Sequence, residues 1–189
     1  MKKITVRQMA LVGIMAAMVY VTSAYIQIPI PTAIGNTRLH VGNVMCLLSG
    51  LLLGPVLGGL AAGFGSMLFD LLNPAYITSA PFTFIFKFLM AWVCAKIAFS
   101  GNRQAKNHGW NIAACVIGAL TYVALYMLKT FIYQRFIYGY PVDAVFITMG
   151  SKLPASLLNA VAAMVAAPIL YSALRPALER AGQLRKMRG

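Results

Sequence analysis

Long runs of apolar residues, separated by short breaks rich in proline, glycine and asparagine, dominate the pattern of this sequence. Several runs approach or exceed the ~20 residues that an α-helix needs to cross the hydrocarbon core of a bilayer. The breaks include Gly54-Pro55, Asn73-Pro74 and Gly139-Tyr140-Pro141, and the clearly hydrophilic interior stretch is 100–109. The pattern predicts an all-α integral membrane protein, a six-helix bundle that forms one domain over residues 1–189. The predicted spans lie at about 6–28, 40–53, 56–72, 81–99, 110–133 and 145–174.

Three of these spans depart from a simple apolar helix. The first begins after Met-Lys-Lys and mimics a signal peptide, but its run from Met9 to Ile28 is longer than the usual ~7–15 residues, so we expect it to be retained. The second is short for a full crossing unless it tilts or is helped by neighbouring helices. The sixth is expected to start irregularly near Gly150 and Pro154, and a basic tail follows it.

The composition agrees with a membrane protein. Apolar residues make up 60% of the chain and charged residues only 10%, far below the ~25% of an average soluble domain. The net charge of +13 would suggest a nucleic-acid partner in a soluble protein. Most basic residues lie instead in the tails and one loop, where the positive-inside rule expects them, so we expect no nucleic-acid binding.

The basic residues also predict the orientation. With both termini in the cytoplasm, the outer loops hold only Arg38 and Arg135. The cytoplasmic side then holds Lys2, Lys3, Arg7, Arg103, Lys106, Arg175, Arg180, Arg185, Lys186 and Arg188.

Four ionisable residues fall within predicted spans at a similar depth, in the outer half of the bundle. They are Asp70, Lys87, Lys129 and Lys152, whereas Lys96 lies near the inner end of its span and can extend to the headgroups. A charge in hydrocarbon costs ~2.5–3.5 kcal/mol on insertion scales, so such residues usually face a partner or a cavity. Asp70 can neutralise one lysine, and the remaining positive charge suggests a ligand with a carboxylate, a phosphate or electron-rich ring acceptors. The alternative, that some of the lysines only extend outward to water, stays open.

A small-molecule pocket needs apolar walls and a few convergent polar groups. Amide and aromatic side chains are predicted at the same level as the buried charges, although an aromatic belt at the interface would also explain the tyrosines. The predicted substrate-binding residues are Arg38, His40, Asn43, Asp70, Asn73, Tyr76, Lys87, Lys129 and Asn159.

The sequence argues against an enzyme. It has only three acids, and His40 and His108 fall on opposite faces of the predicted membrane, so paired acid–base chemistry has few candidates. It also lacks a Walker-type phosphate-binding motif, so the chain cannot hydrolyse nucleotide itself. Cys46, Cys94 and Cys115 are isolated and are interpreted as small core residues. We expect no metal site.

Small residues form stripes on two predicted spans. On the first span, Ala10, Gly13, Ala16 and Ala17 offer a face to which another helix can approach closely, either within this chain or from a partner protein. On the third span, the glycines between 54 and 66 favour internal packing.

Four segments resemble the substrate-binding S components of energy-coupling factor (ECF) vitamin transporters: LHVGN at 39–43, LLLGPVLGG at 51–59, GFGSMLFDLL at 63–72 and PFTFIFK at 81–87. The resemblance covers nearly the whole chain. Within the family, these motifs are similar to those of the branch that contains the riboflavin and the pyridoxine- or hydroxymethylpyrimidine-type S components. It does not specify the vitamin.

The resemblance implies a binding protein of the bacterial cell membrane without enzymatic activity. Such a protein captures a vitamin from outside and associates with a transmembrane coupling subunit and two cytoplasmic ATPases. This chain would bind no cofactor, and the partner ATPases would use the ATP. The family's Ala-x-x-x-Ala docking motif has its nearest match in Gly13-x-x-x-Ala17, and the loop 30–39 is similar to the family's lid over the pocket.

Two other functions stay open at this point. A stand-alone, proton-coupled carrier would use Asp70 as its coupling acid. A membrane enzyme acting on lipid-linked substrates is the less favoured alternative.

Overall fold

The computed structural model describes residues 4–31 and 36–182. The predicted basic residues Lys2, Lys3, Arg185, Lys186 and Arg188 lie outside this part of the chain, as do residues 32–35 of the predicted lid.

The described residues form six α-helices and one β-hairpin. The elements are α1 Val6–Tyr25, β1 Gln27–Pro31, β2 Asn36–His40, α2 Gly42–Leu53, α3 Pro55–Leu71, α4 Ala80–Phe99, α5 His108–Ile132 and α6 Val142–Arg180. Four helical segments are long and apolar enough to cross a membrane, at Val6–Tyr25, Ile77–Phe99, His108–Ile137 and Val142–Arg180. The all-α membrane class that the sequence predicted is therefore confirmed.

Helix α2 lies at the centre of the bundle. It packs against each of the other five α-helices, and all twelve of its residues are buried. A helix that is hydrophobic on every side is stable when protein surrounds it, which accounts for the short apolar run at this position in the sequence. Because its neighbours cover it, α2 does not need the length of a lipid-facing span.

A tight turn connects α2 to α3. Gly54 adopts a positive φ of 84°, a conformation that glycine tolerates far better than other residues, and it is both the last cap of α2 and the first of α3. Pro55 follows at the first position of α3, where its missing N–H breaks no helical hydrogen bond. The two helices therefore lie side by side with almost no connecting loop.

The small residues of α3 allow close packing on two sides. A side chain at Gly58 would collide with the backbone of Ser49 and Gly50 in α2, and side chains at Gly59 and Gly63 would collide with the rings of Phe88 and Phe84 in α4. The stripes on α3 thus serve internal packing.

The structure corrects two expectations about the loops and helix ends. The stretch after the first helix was expected to be a loop. It instead forms the antiparallel hairpin of β1 and β2, in which Gln27 pairs with His40 and Pro29 with Arg38. Prolines are compatible with this arrangement because each strand has only one neighbour in the two-stranded sheet.

Helix α6 is the second correction. An irregular start near Gly150 and Pro154 was expected, but the helix is continuous over 39 residues with Pro154, Pro168 and Pro176 inside it. Membrane helices tolerate such prolines because hydroxyl side chains and neighbouring helices satisfy the freed backbone groups. The carbonyl that loses its helical donor at Pro154 is that of Gly150, and in the same turn the Ser151 hydroxyl donates to the neighbouring Thr148 carbonyl.

The close contact between α2 and α4 gives a test of this packing. A Cβ atom at Gly50 would lie 2.6 Å from the carbonyl oxygen of Ala91, whereas a Cβ at Gly150 would meet nothing within 4 Å. Overpacking of this kind typically costs about 1–3 kcal/mol. We expect Gly50→Ala to lower the unfolding temperature in detergent and the matched control Gly150→Ala to leave it unchanged or raise it. Equal unfolding temperatures for the two variants would contradict the packing.

Candidate functional site

A cavity of about 500 Å³ opens between the hairpin and helices α3 to α6. Its volume lies in the range of ~300–1,000 Å³ that is typical of small-molecule pockets. Seven of the nine predicted substrate-binding residues line it: Arg38, His40, Asp70, Tyr76, Lys87, Lys129 and Asn159.

An ion pair connects the hairpin to α3 within this cavity. The Arg38 Nη2 atom lies 3.4 Å from the Asp70 Oδ1 atom, and Asp70 is only 3% exposed. The Thr83 hydroxyl of α4 donates to the second carboxylate oxygen of Asp70 at 2.5 Å. The Arg38 guanidinium also lies 3.7 Å above the Phe69 ring, a cation–π contact. Asp70 is therefore paired with a cation inside the protein.

Lys87 is the least exposed of the charged residues that line the cavity, with 2% of its surface exposed. Its ammonium donates to the Asn43 side-chain oxygen and lies 3.6 Å from the centre of the Tyr122 ring. These contacts stabilise a buried ammonium through an amide dipole and a ring, without a carboxylate. Asn43 itself does not line the cavity and supports Lys87 from behind.

Two further lysines line the cavity from α5 and α6. The Lys129 ammonium donates to the Ser79 hydroxyl at 2.7 Å and lies 5.4 Å and 5.5 Å from the Tyr133 and Phe82 rings. Lys152 is half-buried and forms no hydrogen bond or ion pair with any residue that the structure describes. Neither lysine has a carboxylate partner in the described part of the chain.

Asn159 fastens the hairpin to α6. Its side-chain oxygen accepts a hydrogen bond from the His40 backbone N–H at 2.8 Å, and its side-chain nitrogen donates to the Arg38 carbonyl at 2.7 Å. Both bonds use backbone groups of β2, so the amide takes the place of a neighbouring strand. Asn159 therefore holds one wall of the cavity in position.

His40 is uncharged in this environment. Burial lowers its pKa well below the usual value, and the nearby positive charges of Lys87 and Arg38 act in the same direction. Its Nδ1 atom is buried and has no hydrogen-bond partner among the described residues.

Asn73 is the second predicted residue, after Asn43, that does not line the cavity. Its side-chain oxygen accepts a hydrogen bond from the Ala75 N–H at 3.1 Å and so closes the turn after α3. It does not line the cavity, because its amide is used by the local backbone.

Several residues that line the cavity were not among the predicted nine. Tyr122, Tyr126 and Lys129 follow one another at helical spacing on α5, and Tyr133 continues this spacing just after the helix ends. The position of Lys129 could therefore have indicated the three tyrosines. In the same way Thr83 lies one turn before Lys87, and Ser156 lies one turn after Lys152. Ser79 and Gln134 carried no comparable signal.

The predicted docking residues lie away from the cavity, on α1. Ala10, Gly13 and Ala17 are exposed, and Ala16 is half-buried where its carbonyl approaches Gly65 of α3. A side chain at Gly13 would meet nothing within 4 Å. The stripe therefore presents a shallow, small-residue face outside the bundle. Among the described residues, no three His, Cys, Asp or Glu side chains are grouped so that they could hold a metal ion.

The fold and the cavity together define a helical membrane protein with a ligand-sized polar pocket. The model of the family "ECF-type riboflavin transporter, S component" matches residues 3–176, so the chain belongs to that family. Its fold is similar to that in "Structure and mechanism of the S component of a bacterial ECF transporter", with a TM-score of 0.64 and 18% identity over 91% of this chain and 97% of that chain.

A Pyrococcus woesei protein, described as "Uncharacterized protein in gap 3'region", is 30% identical over 118 residues, which are 60% of this chain and 72% of the relative. Family membership confirms the resemblance noted in the sequence. The chain is a subunit of a vitamin transporter, and it is not an enzyme.

The neutral state of His40 leads to a testable pH dependence. An unfolded histidine takes up a proton near pH 6.5, while the folded protein keeps His40 neutral to lower pH. Stability that is fully present above about pH 6.5 is therefore lost progressively as the pH falls below this value toward the lower pKa of the folded state. We expect the unfolding temperature to drop from about pH 7.5 to about pH 5, and to drop less in His40→Gln. The exposed control, His108→Gln, should follow the wild type. A His40→Gln profile as steep as the wild-type profile would contradict the assignment.

Proposed function

We propose that this chain is the membrane-embedded binding subunit of an ECF-type ABC transporter in the bacterial plasma membrane. It captures a water-soluble vitamin or vitamin precursor from outside the cell for ATP-driven uptake. The observation that carries this proposal is the convergence of charged and polar groups from the hairpin and four helices on one cavity. Groups that are costly to bury in a membrane are brought together there around a volume that suits a vitamin.

The distribution of basic residues supports an outward-facing cavity. Arg7 lies in the first turn of α1, Arg103 and Lys106 lie between α4 and α5, and Arg175 lies near the end of α6. These residues therefore belong to one end of the bundle. The hairpin and the cavity belong to the other end. By the positive-inside rule, the basic end is cytoplasmic, all six helices belong to the membrane bundle, and both termini are inside.

The transport step requires partners. The chain has no phosphate-binding loop, so the energy comes from two ATPase subunits that act through a transmembrane coupling subunit. The exposed face of Ala10, Gly13 and Ala17 on α1 suits close contact with a helix of that coupling subunit. The hairpin, which is held by Asn159, would serve as the movable cover of the cavity.

Riboflavin is the first ligand to test, because the family is described by it. Pyridoxine-type and hydroxymethylpyrimidine compounds are the next candidates. All are compact ring compounds, and the cavity offers the rings of Tyr76, Phe86, Tyr122 and Tyr126 for stacking.

The test is to purify the protein in detergent and identify co-purified small molecules by mass spectrometry. We expect a vitamin or precursor to be retained by the wild type and to be lost or reduced at least about tenfold in Lys87→Ala, because a charged hydrogen-bond donor contributes about 1.5–3 kcal/mol. Lys96→Ala is the matched control on the same helix, since Lys96 lies outside the cavity beside Trp92. Both variants should insert and migrate as monodisperse protein. Equal ligand content in the two variants would remove Lys87 from the site.

The buried carboxylate of Asp70 is the feature that favours the alternative of a proton-coupled carrier. Its ion pair with Arg38 and its bond from Thr83 provide a structural reason for this buried acid without proton transfer. Uptake by cells that lack the coupling subunit and ATPases, with strong pH dependence, would support the carrier instead.

The docking face can be tested separately from ligand binding. We expect Gly13→Leu to weaken co-purification with the coupling subunit, because the added side chain keeps the partner helix at a distance. Ligand binding should be unchanged, since Gly13 lies far along α1 from the hairpin and has free space around it. Gly150→Leu is the control, because Gly150 is also exposed on a helix with free space. Undiminished association of Gly13→Leu would exclude this face as the contact.

A further inference from the structure

The cavity has a surplus of positive charge. Among the described residues that line it, Arg38, Lys87, Lys129 and Lys152 are cationic and Asp70 is the one carboxylate. Asp70 is already bound by Arg38 and Thr83. None of the three lysines forms a direct ion pair with a carboxylate in the part of the chain that the structure describes, and one carboxylate cannot balance four cations.

The three lysines are not equivalent. Lys87 is enclosed by Asn43 and the Tyr122 ring, so its ammonium is well supported in the empty protein. Lys129 and Lys152 are half-buried, lie on the packed helices α5 and α6, and line the same cavity. Two like charges near each other in a partly buried cavity repel, and an anion between them would remove that cost.

Neutral groups around the two lysines complete a binding surface. The Ser79 hydroxyl accepts from Lys129 and can donate its own proton to an oxyanion. The Gln134 side chain is buried at the cavity wall, and its Oε1 atom has no hydrogen-bond partner among the described residues. A buried acceptor without a partner is costly, and a ligand hydroxyl or ring N–H would satisfy it.

We propose that Lys129 and Lys152 form an anion subsite, and that the preferred ligand is a vitamin or precursor that carries a carboxylate or a phosphate as well as a ring. This inference rests on the proposed function as a vitamin-binding subunit. It also departs from the family description, since riboflavin has no charged group at neutral pH. The ring would lie among the tyrosines, and the oxyanion would lie between α5 and α6.

The experiment compares ligands that differ in charge but share a ring. The pairs are riboflavin with flavin mononucleotide, pyridoxine with pyridoxine phosphate, and nicotinamide with nicotinate. Binding to the purified chain is measured by calorimetry. In any pair that binds, we expect the anionic member to bind at least about tenfold more tightly, since a hydrogen bond to a charged group contributes about 1.5–3 kcal/mol. The first two pairs test a phosphate, and the third tests a carboxylate.

Variants test whether the two lysines cause the preference for the anionic member of each pair. The double variant Lys129→Gln/Lys152→Gln should bring the ratio of the two affinities close to one, whereas Lys96→Gln should retain it. Lys152→Arg keeps the charge and should also retain it. A wild type that binds both members of a pair equally, or a double variant with an unchanged ratio, would overturn the subsite while leaving vitamin binding intact.

If no ring compound of the panel binds, the subsite is tested with inorganic phosphate instead. That result would count against the proposed function for these ligands. The subsite is then supported if phosphate raises the unfolding temperature of the wild type above its value in chloride at equal ionic strength, and if the double variant lacks this rise. Equal unfolding temperatures in the two salts would overturn it.

Discussion

The cost of placing charge inside a membrane is the constraint on which the rest of this structure depends. A single lysine or aspartate in hydrocarbon opposes insertion by a few kcal/mol, and this chain buries several such groups on different helices. The structure offsets part of that cost in three ways. Asp70 forms an ion pair with Arg38, the Lys87 ammonium contacts the Asn43 amide and the Tyr122 ring, and the Lys129 ammonium donates a hydrogen bond to the Ser79 hydroxyl. Because these solutions require residues from separate helices, the charged cluster and the arrangement of the bundle depend on each other.

The central position of α2 is the second element of that arrangement. Its small and apolar surface allows five helices to surround it, and the turn at Gly54 brings α3 directly alongside. The cavity lies beyond the start of this helix, where Asn43 supports Lys87. A closely packed interior thus ends in a polar cavity, so that the buried helix α2 forms a rigid base for the site and the hairpin forms one of its walls.

The helices and the charged cluster were largely accessible from the sequence. Apolar runs predict membrane helices because length and hydropathy nearly suffice for that assignment, and Asp70, Lys87 and Lys129 stand out because charge is rare in such runs. The hairpin was missed, since two strands of five residues with prolines show no regular alternation. Asn73 and Asn159 look alike in sequence, yet one closes a local turn and the other bonds a distant strand. Uncharged residues such as Ser79 and Gln134 could not be assigned, because their importance comes only from which helix faces which.

The side chain of Asn159 couples the hairpin to α6 at the wall of the cavity. One side chain supplies both hydrogen bonds that hold the edge of β2 to α6, so the strand cannot slide by small amounts without losing both of them. Displacement of the strand exposes a backbone donor and a backbone acceptor at once, and water or a bound solute must replace the missing partners. Movement of β2 away from α6 therefore costs both hydrogen bonds at the same time, and the position of the hairpin is coupled to α6 through one side-chain amide.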